Sequence, residues 1–560
     1  MSKPPSSGNP HTGLLDVEEG EHDTIVLQGS NRGARVEPGS FVKLASALAV
    51  FALAIVGTYT ISGLEWAQPW SADEAYIPYW NIVGREFMGE GAEADQRQQQ
   101  AEGFAELARQ IERDEDGERD KDKDGERDED GGDDEAAVAP DKDAGRSAAL
   151  QAAPQLYPEY REHADDSEDG GRGTELAYAD KLGSFFRALT HTDLGIGGSI
   201  TRAAHWGDSV LGNDGITAAI RSQMQARFGD AGHGFHALAQ YDPSYRHKGV
   251  IFREKSKWSK CYIIAKCMKS DGRYGYGGTT VWSAGGAESV FSTTTKGRFG
   301  RRVSRFEVWY LAGPKGGKLR VRLDKQDPQI IDTRAEARED RWRTFEVPDG
   351  AHRFSLRAAG GGRARAYGVV LERPGPGVVW DGMALIGAFT NRMNELDSDH
   401  FRAQIAHRDP DLLVFMFGGN DMIRVRAFRE SMDLYEREYV EVIRRARGPA
   451  KDRACLIMSA IDHGERRKGR VVTRAIVPRM VAAQRRVAHR EGCAFFDTYE
   501  AMGGAGSMAI WSKMEPRLAS GDLAHPTHHG HKVLGKLFYG ALMRAYATYR
   551  RELAGTAVVR

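Results

Sequence analysis

The chain has 560 residues and sets 78 Lys and Arg against 79 Asp and Glu, for a formal net charge of −1. The length allows roughly two to four folded units. The charge balance excludes a nucleic-acid partner, because no stripe of Lys and Arg interleaves with stacking aromatics.

In chain order, residues 1–43 are polar and rich in Gly, Ser and Pro, the composition of a disordered tail. Leu44 to Leu64 then runs without a charge. At about 1.5 Å per residue it matches the roughly 30 Å of a bilayer core. Arg32, Arg35 and Lys43 precede it, whereas Glu65 and Asp73 follow with no cation until Arg85. The positive-inside rule puts the tail in the cytoplasm and the bulk of the chain outside, with Trp66 and Trp70 at the far interface. The expected location is a bacterial-type inner membrane, crossed once, with the folded head periplasmic or extracellular. The run is too long for a signal-peptide core and lies too far from the start.

Residues 65–180 read as a juxtamembrane helix and an acidic stalk. Phe104, Leu107, Ala108 and Ile111 recur at helical spacing, a stripe suited to a partner helix or a coiled coil with a second copy, or else to a solvated helix. Asp114 to Glu135 has no apolar side chain and repeats GERDKDKD as GERDED, so it predicts an extended spacer.

From about residue 181 short apolar runs alternate with amphipathic helices. The strand-like ITRAAHW leads into Gly207-Asp208-Ser209, and a helix follows with Ile216, Ile220, Met224 and Phe228 on one face. Residues 236–375 break this rhythm with period-2 runs such as VSRFEVWYLA and KLRVRLD between Gly-rich turns, the pattern of an antiparallel β-sandwich. The alternation resumes over 376–552, with strands at 411–417, 453–459 and 493–497, helices near 428–446 and 474–491, and a long helix from about 528 to 551. Alternating units predict a parallel sheet covered on both faces, so 181–235 and 376–552 form one α/β domain interrupted by a β-rich insertion. Cys261 and Cys267 are near enough in sequence for a small local loop. Cys455 and Cys493 each sit in an apolar run and read equally as buried thiols or as a disulfide.

Three short motifs carry chemistry. Ser209 follows a strand and opens a helix, the place where α/β folds put their sites and where a helix N-terminus favours a developing anion. Asn420, in Gly418-Gly419-Asn420-Asp421, follows the apolar run LLVFMF and can aim an amide N–H at the same crevice. Asp522 and His525 are spaced so that the carboxylate can fix the imidazole tautomer. His528, His529 and His531 invite a metal reading. They fall at a helix start without an acidic or Cys partner, so neither metal nor cofactor is expected.

In this order, each at a strand end, the three motifs resemble the SGNH (GDSL-like) hydrolase family over about residues 200–235 and 376–550. The resemblance implies a three-layer, flavodoxin-like parallel sheet. It implies Ser209 as nucleophile, His525 as base, Asp522 as its partner, and an oxyanion hole from Ser209, Gly387 and Asn420, with Gly382 as a nearby alternative to Gly387. The text HWGDSVLGNDGITAAIRSQMQARFGDAGHGF is similar to peptidoglycan O-acetylesterase-like members that carry a carbohydrate-binding-like sandwich between the first two blocks. The implied activity is removal of O-acetyl or similar acyl groups from a cell-wall or surface glycan. The same residues would serve an O-acyltransferase, and a wall-binding protein without catalysis is the remaining alternative. Tyr274, Tyr276 and Trp282 are the expected sugar-contacting residues, on a Gly-rich loop beside the crevice.

Overall fold

Five apolar runs build one parallel sheet: β1 (Ile200–Gly207), β2 (Gly377–Ala384), β3 (Leu412–Met416), β4 (Ala454–Met458) and β5 (Ala494–Phe496). The computed structural model describes residues 98–114, 160–161, 163, 174–264, 271–427, 429–450 and 452–558. The strand order is β2-β1-β3-β4-β5, with all neighbours parallel. Strands buried on both faces need no polar alternation, which is why LLVFM is apolar throughout. Their side chains still alternate: Leu412, Val414 and Met416 point into one core, Leu413 and Phe415 into another. The first core is closed by the helices Gly183–Asp193, Gly215–Phe228 and His528–Val558, the second by Ser398–Arg408, Met432–Arg447 and Ile476–Glu491.

Between β1 and β2 lie two antiparallel sheets. One runs Glu339–Gly350, Val303–Ala312, Ala364–Glu372, Thr279–Ser283, Ser259–Tyr262, with Gly234–Ala237 paired to Ala364–Glu372. The other runs Ile251–Ser256, Glu288–Ser292, Arg353–Ala358, Lys318–Leu323, Gln329–Asp332. Val308 and Val369 of the first share a third core with Leu319 and Phe354 of the second. Buried charges join this unit to the parallel sheet. The Arg408 guanidinium donates to Glu372, which ends the last inserted strand, at 2.6 Å, and to Asp381 of β2 at 2.6 and 3.0 Å. Arg202 of β1 grips the same Glu372 at 2.9 and 3.1 Å.

Cys455 and Cys493 form a disulfide between the strand regions of β4 and β5, with Cα atoms 4.7 Å apart. Cys261 is also disulfide-bonded, and Cys267, its expected partner, lies outside the described residues.

Residues 98–114 are helical, but the apolar stripe meets the chain's own α/β domain rather than a partner helix. Phe104 and Ala108 are buried, the Phe104 ring packs edge-on against Trp511 with centroids 5.4 Å apart, and Glu112 pairs with His529 at 2.8 Å. The helix is therefore no part of a free stalk, because its apolar face has more surface to bury on the head than in water. Leu44–Leu64 lies outside the described residues; among those described, no helix is long and apolar enough to cross a membrane.

Candidate active site

The strand order reverses direction between β1 and β3, and the carboxyl ends of strands flanking such a point open a crevice. Ser209 leaves β1 there and Asn420 leaves β3 there. Gly207 permits the tight exit of β1, since a Cβ would lie 2.5 Å from the Met416 carbonyl oxygen. Gly418, at φ 123°, turns the chain after β3 in a conformation that L side chains rarely adopt. Asp208 ties the two turns together by accepting hydrogen bonds from the N–H groups of Val210 at 3.0 Å and Gly419 at 3.1 Å. Burial pushes its carboxyl up to about 6 despite these donors.

Ser209 Oγ lies 2.9 Å from His525 Nε2, and His525 Nδ1 lies 2.7 Å from Asp522 Oδ2. Leu523, at φ 59°, folds the turn so that Asp522 Oδ1 also accepts from the N–H groups of Ala524 and His525 at 2.9 and 3.1 Å. Burial raises the Asp522 carboxyl, but these hydrogen bonds and the imidazole outweigh it, and the net displacement is downward. An ionised Asp522 fixes the proton on Nδ1, which leaves Nε2 free to accept from Ser209. Among the described residues no hydrogen bond engages the Ser209 N–H.

Asn420 donates from Nδ2 to the Ala388 carbonyl at 3.1 Å, which leaves its second amide proton for the crevice. Asp421, which sequence reasoning passed over, accepts from the Thr390 N–H at 3.0 and 3.1 Å and from the Thr390 hydroxyl at 2.8 Å, so it holds the loop after β2. Burial pushes its carboxyl up to about 7. Gly387 lies on that loop, exposed, at φ 84°, and is not among the residues lining the pocket. The alternative, Gly382, is a sheet residue opposite His205 whose Cβ would press on Thr217.

A pocket of about 110 Å³ lies in front of the serine, lined by Ser209, Asn420, Ile423 and His525 and, on its far wall, by His463 and Arg474. Neither of the last two stands in a recognisable motif. Tyr274, Tyr276 and Trp282 do not reach it. Tyr274 and Tyr276 are 1% and 0% exposed, and the Tyr276 hydroxyl donates to Asp381 at 3.1 Å. The Gly-rich stretch expected as an open loop is core, packed between Trp206, Phe235 and Trp309. Trp282 borders a separate cleft with Asp271 and Arg365. The later histidines diverge: His528 meets Lys248, His529 meets Glu112, and His531 is buried beside Gly215.

A serine, an imidazole and a carboxylate in line at the end of a parallel sheet define a serine ester hydrolase of the α/β type. Residues 349–533 match the GDSL-like lipase/acylhydrolase family. The matched stretch contains Asn420, Asp522 and His525 and starts beyond Ser209, which lies across the inserted sheets. The match spans about a third of the chain and marks a GDSL-like hydrolase domain within it. Among solved structures it is similar to a peptidoglycan O-acetylesterase, at 18% identity and a TM-score of 0.56 over 67% of this chain and 99% of that one. An α/β hydrolase from the metagenome of Lake Arreo, Spain, shares 19% identity, with a TM-score of 0.24 over 30% of this chain and 74% of its own. A catalytic mutant of an acetylxylan esterase from Geobacillus stearothermophilus shares 17%, with a TM-score of 0.23 over 30% and 73%. No curated protein matches the chain.

Proposed function

We propose that this protein removes O-acetyl or similarly short acyl groups from a cell-wall or surface glycan. The observation that carries the reading is the Ser209–His525–Asp522 relay facing a pocket of only about 110 Å³, room for a short acyl chain. The near-complete coverage of a peptidoglycan O-acetylesterase fold supports a glycan as the carrier of the ester.

In this mechanism His525 takes the Ser209 proton as Oγ attacks the ester carbonyl, and Asp522 stabilises the imidazolium. The oxyanion is held by the Ser209 and Gly387 N–H groups and the free Asn420 amide proton. The tetrahedral intermediate collapses as His525 returns its proton to the leaving sugar hydroxyl. Water, activated by the same imidazole, then cleaves the acyl-enzyme and releases the carboxylate. A disulfide belongs to an oxidising compartment, which supports the extracytoplasmic placement read from Leu44–Leu64, with the inserted sheets as the glycan-holding part.

The test is acetate release by the purified full-length protein from isolated cell-wall polymers, with Ser209→Ala as control. Release that depends on Ser209 supports the reading. Turnover of 4-nitrophenyl acetate with no acetate from any polymer would remove the glycan from the assignment, and transfer of acetyl to an added sugar instead of water would identify an acyltransferase.

A further inference from the structure

After β4 comes a hairpin, Gly464–Arg467 and Arg470–Thr473, flanked by His463 and Arg474, which line the catalytic pocket. Its base is clamped to the catalytic turn, because the Gly464 N–H donates to the Leu523 carbonyl at 2.7 Å. The stretch GERRKGRVVTR carries five cations and one carboxylate. That carboxylate, Glu465, is already shared by Arg467 at 2.5 Å and Arg426 at 3.3 Å. Arg466, Lys468 and Arg470 are exposed.

At the foot of the hairpin the Arg474 N–H donates to the His463 carbonyl at 2.8 Å, so the two side chains enter the pocket side by side. Arg474 uses Nε on the Gly464 carbonyl at 3.2 Å, and among the described residues no carboxylate pairs with its guanidinium. A cation held this way beside a catalytic pocket has its remaining donors fixed in a fork that suits a carboxylate. His463 Nδ1 lies 3.1 Å from the Ile461 carbonyl, which can only accept, so the proton sits on Nδ1 and Nε2 is a bare acceptor facing Gly419. Burial pushes this imidazole down to about 4, so it stays neutral at ordinary pH. The wall therefore offers a cation beside a neutral acceptor.

We infer that the glycan carries a carboxylate close to its acyl ester, bound by Arg474, while a neighbouring sugar hydroxyl donates to His463 Nε2 and the hairpin's exposed cations draw in the polyanion. The inference rests on the glycan-esterase reading. Surface cations raise the local concentration of an opposite charge and lose that effect as salt shortens the range of the field.

The experiment compares kcat/KM of the full-length protein for O-acetylated polygalacturonate and O-acetylated xylan matched in acetyl content. It also measures inhibition of 4-nitrophenyl acetate hydrolysis by unacetylated oligogalacturonate and by xylo-oligosaccharide. The expected results are a preference of about tenfold or more for the acidic polymer, falling as salt rises, and competitive inhibition by the acidic oligomer alone. Arg474→Gln should bring the polymer ratio near one and raise the inhibition constant for oligogalacturonate about tenfold, and Arg474→Lys should keep part of both effects. Equal inhibition of the wild-type protein by acidic and neutral oligomers, or a polymer ratio unmoved by Arg474→Gln, overturns the inference. If no polymer releases acetate while oligogalacturonate still inhibits, the esterase assignment to glycans fails and the anion site stands.

Discussion

At the scale of single residues the site is a set of hydrogen bonds with few substitutes. Ser209→Ala should abolish hydrolysis of a small acetyl ester, since among the described residues no other hydroxyl lies against His525 Nε2. Asn420→Ala should lower kcat by about two to three orders of magnitude, the usual cost of one oxyanion donor. A rise in KM with kcat unchanged would place Asn420 in uniform substrate binding instead. Asp421→Asn is the more revealing change. Its carboxylate accepts three hydrogen bonds from Thr390 and touches no substrate, so it is a positioning residue for the loop that carries Gly387. An amide there turns one acceptor into a donor against the Thr390 N–H. Turnover should fall by about tenfold or more with the thermal midpoint little changed, and a midpoint that falls in step with turnover would make Asp421 a folding residue only.

At the scale of elements, three histidines on the approach to the insertion give the fold an acid limit. His233 Nε2 lies 3.0 Å from His247 Nδ1, and the His236 ring lies tilted against that of His247 with centroids 4.6 Å apart. Burial first, with Arg221 adding repulsion, pushes His247 down to about 4 against the attraction of Asp214. Burial likewise drives His233 and His236 well below the ordinary imidazole value. The unfolded chain binds protons near 6.5 and the folded chain does not, so stability is complete above pH 6.5 and is lost as pH falls toward 4. Urea midpoints measured between pH 7 and 4 should decline over that window, and His236→Phe should flatten the decline; an unchanged slope would put the acid sensitivity elsewhere.

Elements also show where sequence reading succeeds and stops. The runs that become β3, β4 and β5 are legible because a strand buried on both faces must be apolar. The motif serine and asparagine are legible because each stands just after a strand, and the aspartate and histidine because they share one short motif ahead of the long last helix. Tyr274 and Tyr276 mislead because glycines usually mark open loops, whereas here Gly275 is needed for close approach: a Cβ on it would lie 2.5 Å from the Tyr367 side chain. β2 hides in GVVWDGMA, where Asp381 sits at the centre of a strand and breaks the apolar run. The buried Arg408, with the Phe235 N–H and the Tyr276 hydroxyl, makes that charge tolerable. Arg474 has no motif at all, since only the fold brings it, at the end of a hairpin, to the pocket.

At the scale of the whole molecule the inserted sheets and the catalytic sheet are fastened by the buried group of Arg202, Arg408, Glu372 and Asp381. Arg408→Met leaves Asp381 without its guanidinium and Glu372 with fewer cations. It should cost about 3–5 kcal/mol in denaturant unfolding, more than a cavity of similar size alone would explain. A loss below about 1 kcal/mol would show that the two units are held by their apolar contacts. The Cys455–Cys493 bridge closes a loop with a sequence separation of 38, for which loop entropy gives about 4 kcal/mol. Reduction should lower the unfolding midpoint accordingly.

The insertion also sets the order in which the molecule can come into being. β1 finds its neighbours only in β2 and β3, at residues 377–384 and 412–416, after the inserted strands have been made. Those strands pair among themselves, at shorter separations than that between the paired Ile200 and Gly377, and contacts of shorter range close first. The nascent chain should thus carry a folded antiparallel unit while β1 waits unpaired, with its nucleophile 316 residues from the base that activates it. Pulsed hydrogen exchange during refolding should protect 303–358 before 200–207. A chain arrested between Glu372 and His525 would be a folded inserted unit on a hydrolase that cannot yet cut, so esterase activity itself reports that synthesis and folding have run past the last strand.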